Sequence, residues 1–122
     1  MPWELDSDRP IYAQIVDRLK HEIVSGFYPP GSRLPSVRDL AAQASVNPNT
    51  MQKAFTELER TGLIVTRRTS GRTVTEDTAL IEQVRSELAE LQISQFLTRM
   101  QHLGYQKDDS IRLLLAKKEE IL

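Results

Sequence analysis

Between residues 47 and 53 the chain reads Asn47-Pro48-Asn49-Thr50-Met51-Gln52-Lys53. Asparagine and glutamine can pair bidentately with adenine, threonine offers a hydroxyl and a methyl, and Lys53 adds a positive charge beside them. Such groups read DNA when they stand at the N-terminal end of a helix. The major groove of B-DNA admits one α-helix, and side chains at that end reach base edges. The unpaired N–H groups of the same helix end can also bind phosphate. An isolated run of this kind is more often a capped, solvated helix face, so its neighbours decide the reading.

The elements that would position these side chains are legible on both sides. Asn47 is a strong N-cap and Pro48 suits the first helical position. Met51, Ala54, Phe55 and Leu58 then supply an apolar stripe, and Gly62 ends the helix. Before it, Ser36 caps a helix in which Val37, Leu40, Ala41 and Ala44 form a narrow face whose alanines allow close approach, and a short break follows at Ser45-Val46. Earlier still, Ile11, Ile15, Leu19 and Ile23 trace a first amphipathic helix expected to open at Pro10 and to stop at Gly26. Phe27-Tyr28-Pro29-Pro30-Gly31 reads as a turn. After residue 62, the β-rich runs Leu63–Thr66 and Thr73–Thr75 flank a polar tip, Arg67-Arg68-Thr69-Ser70-Gly71-Arg72. This predicts a basic hairpin able to lie along the DNA backbone or the narrow minor groove. Three helices, a tight break before the third and a basic hairpin are the order of a winged helix-turn-helix. The expected fold is therefore mainly α with a small β wing.

Charge is distributed accordingly. The net charge is −1, but residues 30–75 carry +4 and residues 76–122 carry −3. A basic segment followed by an acidic one is an electrostatic footprint for DNA joined to a part with other work. The 122 residues suffice for one small domain with an appendage. The chain has no cysteine, no basic-then-apolar leader and no apolar run near the roughly 20 residues that span a bilayer. A cytoplasmic protein is the expectation.

The spaced motifs Leu34-Pro35-Ser36-x-Arg38-x-Leu40-Ala41, Val46-Asn47-Pro48-Asn49-Thr50-x-Gln52-Lys53-Ala54 and Leu58-Glu59-x-x-Gly62-Leu63-Ile64 closely resemble the GntR family of bacterial regulators. The Asn-Pro-Asn-Thr string and the short tail resemble its YtrA-like branch, and Pro10-Ile11-Tyr12-x-Gln14-Ile15 also fits. The resemblance implies DNA contacts for Arg38, for Asn47, Asn49, Thr50 and Gln52, and for Arg68 at the wing. It also implies a repressor, with the branch often tied to transporter operons. The wing departs from the family pattern. Thr69-Ser70-Gly71-Arg72-Thr73-Val74 lacks the first of two expected glycines and the aromatic residue that follows.

Beyond a linker at Glu76-Asp77-Thr78, the residues Leu80 to Leu103 trace a long helix closed by Gly104, and Asp108 is positioned to cap a last one. The chain is thus expected to divide into a DNA-binding domain at 1–75 and a helical dimerisation tail at 76–122. Leu88, Leu91, Phe96, Met100, Leu114 and Leu115 are too apolar to remain in water, and a second subunit would bury them. A twofold dimer would present two recognition helices to a palindromic operator.

Other chemistries find little support. His21 and His102 lack partners at metal-binding spacing, no nucleophile–base pair stands out, and the glycines form no phosphate loop. No cofactor or enzymatic activity is expected. Trp3 is a loose arm or a packing anchor, and Tyr105 is expected to pack back on its helix. Two other classes of function stay open. One is a regulator gated by a small effector at the dimer interface, although a tail of this length is small for enclosing one. The other is a helical protein-interaction module with an incidental basic hairpin.

Overall fold

A computed structural model describes residues 3–121. The elements run α1 (Ile11–Val24), α2 (Val37–Ala44), α3 (Pro48–Thr61), β1 (Ile64–Arg67), β2 (Gly71–Val74), α4 (Thr78–His102) and α5 (Lys107–Ile121). None of the described helices is long and apolar enough to cross a membrane.

The first three helices share one core. Ile15, Leu19 and Ile23 of α1 and Leu40, Ala41 and Ala44 of α2 are buried, and Met51, Ala54, Phe55 and Leu58 of α3 are fully so. Both α1 and α2 pack against α3. Their starts differ in quality. Ser36 caps α2 by accepting from the Asp39 N–H at 3.0 Å, whereas Pro10 stands one residue ahead of α1, not inside it, and gives no side-chain cap. A different device anchors that end. The Gln14 side chain is buried. Its amide N–H groups donate to the carbonyls of Asp6 and Arg9, and its oxygen accepts from the Asp6 N–H. These bonds pin the N-terminal arm, and the Arg18 guanidinium stacks 4.1 Å from the Trp3 ring centre. Trp3 is therefore a packing anchor.

β1 and β2 pair antiparallel with Thr66 opposite Arg72 and Arg67 opposite Gly71, which leaves Arg68-Thr69-Ser70 as the loop. Gly71, the residue that closes this loop, takes a positive φ of +73°, a conformation glycine adopts without steric cost. One glycine thus closes a wing for which the family pattern has two. The stretch read as a turn before Ser36 does more than turn. Gly31 and Leu34 donate to the carbonyls of Val74 and Arg72, Val74 donates to Ser32, and Arg33 bridges Thr73. This segment lies along the free edge of β2.

Compact packing divides the chain between Arg85 and Ser86, further along than the linker at residues 76–78 suggests. The first turns of α4 belong to the N-terminal unit: Ile81 is buried there, and Leu80 lies against Gly62. Asp77 caps this helix, accepting from the Leu80 N–H at 3.1 Å.

In the C-terminal unit the last helix starts differently from expectation. Asp108 lies inside its first turn. The cap position falls to Gln106, whose N–H donates to the Asp109 carboxylate at 3.0 Å, half of a capping box. Tyr105 returns only its backbone N–H to Met100. The residue is 42% exposed. Leu91, Ile93, Leu103, Ile111, Leu113, Leu114 and Leu115 are all exposed.

The link between α2 and α3 generates a test. Ser45 ends α2 at φ +58°, the one non-glycine residue with positive φ among those described. A side chain there costs about 1–2 kcal/mol, and glycine's extra freedom when unfolded returns about 0.4–1 kcal/mol of that. Ser45→Gly should therefore stabilise the chain by about 0.5–1 kcal/mol, read as a higher denaturant midpoint at unchanged slope. A lower midpoint would show that Ser45 is not strained.

Candidate nucleic-acid interface

The rotation of α3 is set by what it buries. Met51, Ala54, Phe55 and Leu58 follow the helical repeat inward, so Asn49, Gln52, Lys53 and Thr56 must follow it outward, and all four are exposed. Thr50 lies at the margin and is half-buried. Asn47 is exposed but not idle. Its Oδ1 accepts the Asn49 N–H at 2.7 Å, capping α3 and leaving the side-chain NH2 outward. The Gln52 amide donates to the Thr56 hydroxyl at 3.3 Å, a weak tether that base pairing can replace.

Lys53 is held differently from its neighbours. Its Nζ stands 3.9 Å from the centre of the Tyr12 ring on α1, which keeps the ammonium toward that helix. Arg60, on a later turn, is paired with Glu57 at 2.7 Å, and that hydrogen-bonded pairing holds the Glu57 carboxyl below its ordinary range. Arg38 is exposed on α2, just past its Ser36 cap. Among the described residues, Arg38, Arg67 and Arg68 form no salt bridge, so these three charges are available to a partner.

Arg72 contrasts with them. Its Nε donates to Glu59 Oε1 at 2.8 Å, and its guanidinium carbon lies 5.2 Å from the Phe55 ring centre. The other Glu59 oxygen accepts the Thr66 hydroxyl at 2.7 Å. The Thr66 hydrogen bond, with the one from Arg72, holds the Glu59 carboxyl below its usual range. Two cross-strand neighbours of the wing therefore grip one carboxylate of α3. Sequence reasoning counted Arg72 among the wing's charges and missed this pairing. It also left Arg33 unplaced, although the exposed Arg33 guanidinium lies beside Gly71 at the wing. Their signal lay in side chains 13 residues apart for Glu59 and Arg72, which periodicity does not connect.

Three helices with a tight turn before the third, and a hairpin tied to that helix, define a winged helix-turn-helix protein. The profile of the bacterial regulatory proteins of the gntR family matches residues 11–74, and the chain belongs to that family. It is similar to the uncharacterised HTH-type transcriptional regulator YhcF of Bacillus subtilis, 35% identical over 108 residues covering 88% of this chain and 89% of the relative. It is also similar to the HTH-type transcriptional repressor YtrA of the same organism, 40% identical over 100 residues covering 80% and 76%. A solved GntR family transcriptional regulator from Listeria monocytogenes superposes with a TM-score of 0.82 at 41% identity over 92% of this chain and 98% of that one. The chain is a DNA-binding transcription regulator and not an enzyme.

The Asn47 cap yields a prediction. Asn47→Ala removes the cap and should destabilise the chain by about 1 kcal/mol, while Asn47→Asp retains the acceptor and suits the helix dipole. Thermal unfolding should place Asn47→Asp close to wild type and Asn47→Ala below it. Equal losses for the two would mean that the cap bond contributes nothing.

Proposed function

We propose that the chain is a homodimeric repressor that binds a palindromic operator, with the N-terminal unit reading DNA and the helical tail joining the two copies. The observation that carries the reading is the outward face of α3: Asn49, Thr50 and Gln52 stand at the start of a helix whose opposite face is locked in the core. In this reading Asn47 and Lys53 flank the base-reading side chains, and Arg38, Arg67 and Arg68 contact phosphate or the minor groove. Repression is supported by the similarity to YtrA, itself a repressor by name.

The tail supports the dimer. Leu91, Leu114 and Leu115 are more than half exposed, at 53%, 56% and 62%, while Leu88, Phe96 and Met100 are half-buried. Covering one leucine side chain is worth about 1.5–3 kcal/mol, so a surface this apolar favours a second copy.

Three measurements test the proposal. Asn49→Ala and Gln52→Ala should each cost about 1–3 kcal/mol at one operator position and relax base preference there, read by selecting sequences from a random pool. Unchanged preferences would remove α3 from the major groove. Arg38→Ala and Arg68→Ala should weaken binding to most sequences and each flatten the log–log salt slope by about one unit. An unaltered slope takes that residue off the contact surface. Leu114→Asp and Leu115→Asp alter side chains already exposed in the single chain, so they should leave the fold intact and shift sedimentation from dimer to monomer. A wild-type monomer at micromolar concentration would refute the division of labour.

A further inference from the structure

Arg72 has the position and charge of a DNA contact but the surroundings of a strut. Arg72 Nε and the Thr66 hydroxyl close on the two oxygens of Glu59 at 2.8 and 2.7 Å, and the two residues face each other across the hairpin. Arg72 also covers Phe55, the fully buried aromatic of α3. The side chains of Arg72 and Glu59 are only 26% and 30% exposed. By contrast, Arg67 and Arg68 are exposed at the tip. A short hairpin is marginally stable by itself. Its orientation against the recognition helix must come from such tertiary ties.

We propose that Glu59 is a positioning residue for DNA binding: with Thr66 and Arg72 it holds the wing against α3 so that Arg68 and the outward face of α3 engage one duplex together. Arg72 serves inside the protein and touches no phosphate. This rests on the reading that the wing meets DNA. It also makes a counterintuitive demand. Removing an acidic group from a protein's DNA-facing half ordinarily strengthens binding by reducing repulsion. Here the loss of Glu59's charge must weaken it.

The test uses the full chain and a synthetic duplex bearing the sequence that the wild-type protein selects from a random pool. Glu59→Gln should bind roughly threefold to tenfold more weakly, with its salt slope unchanged. Thr66→Val, which keeps every charge, should lose a similar factor and provides the measurement if Glu59→Gln unfolds. Arg72→Gln should also weaken binding without flattening the slope by the unit that a phosphate contact carries. The Glu59→Gln/Arg72→Gln double variant should lose no more than the worse single one. Glu57→Gln is the control, since it removes the same charge from the same helix without touching the wing, and should bind as well as wild type or better. Tighter or equal binding by Glu59→Gln and Thr66→Val, or a slope flattened by about one unit in Arg72→Gln, overturns the proposal. If Arg68→Ala weakens binding while Glu59→Gln and Thr66→Val do not, the strut fails and the wing contact stands. If Arg68→Ala is also without effect, the wing contact fails with it.

Discussion

The apolar stripe of α3 is the constraint from which the rest of the N-terminal unit follows. Met51, Ala54, Phe55 and Leu58 are each without exposed surface, and a helix has one way of turning four such residues inward together. That rotation fixes which side chains face solvent, so the exposed face is specified by residues that never reach it. α1 and α2 supply the opposing surfaces, and the alanines of α2 allow close approach. Burying each large stripe residue is worth about 1.5–3 kcal/mol, far more than any exposed side chain on the same helix contributes. Most of the stability of α3 thus resides in its buried stripe, which leaves the outward positions of the helix freer to vary without loss of the fold.

Local chemistry was legible in the residues, and long-range pairing was not. The Ser36 and Asn47 caps, the break at Ser45-Val46, the stripe of α3 and the hairpin followed from capping preference, helical repeat and turn composition, because each depends on a few neighbouring residues. The strand-like path of Gly31 to Leu34 was hidden. Two prolines and a glycine signal a turn, and only the distant carbonyls of Arg72 and Val74 turn that segment into an edge partner. Arg72 was equally opaque, since nothing near it in sequence distinguishes a paired arginine from a free one. The start of α5 misled for a local reason. Asp108 and Asp109 are adjacent acids, and only geometry shows that the second one closes the cap. The packing boundary inside α4 has no local mark, because Ile81 sits in a continuous helical pattern.

Gln14 shows how a polar residue can belong to a core. It interrupts the inward face of α1, yet all its hydrogen-bonding capacity toward the arm is used: one accepted bond and two donated ones. A buried amide without those partners would cost roughly 1–3 kcal/mol. Satisfied, it makes residues 6–9 part of the domain and brings Trp3 to Arg18. The C-terminal unit shows the same on a smaller scale, where the buried Ser110 hydroxyl donates to the Gln106 carbonyl at 3.2 Å. It also leaves leucines and isoleucines exposed on both of its helices.

The start of α3 also has consequences for the chemical lifetime of the protein. Asparagine ages when the backbone nitrogen that follows attacks its side-chain carbonyl and closes a succinimide ring, which then opens to aspartate or isoaspartate. Asn47 is followed by Pro48, whose nitrogen bears no hydrogen and cannot complete that attack. Asn49 is followed by Thr50, whose N–H is committed to the Asn47 carbonyl at 3.0 Å inside a helical turn. Both exposed amides at the start of α3 are therefore shielded from deamidation, one by covalent structure and the other by a hydrogen bond. A helix start that exposes two neutral amides is built here from a sequence that protects them.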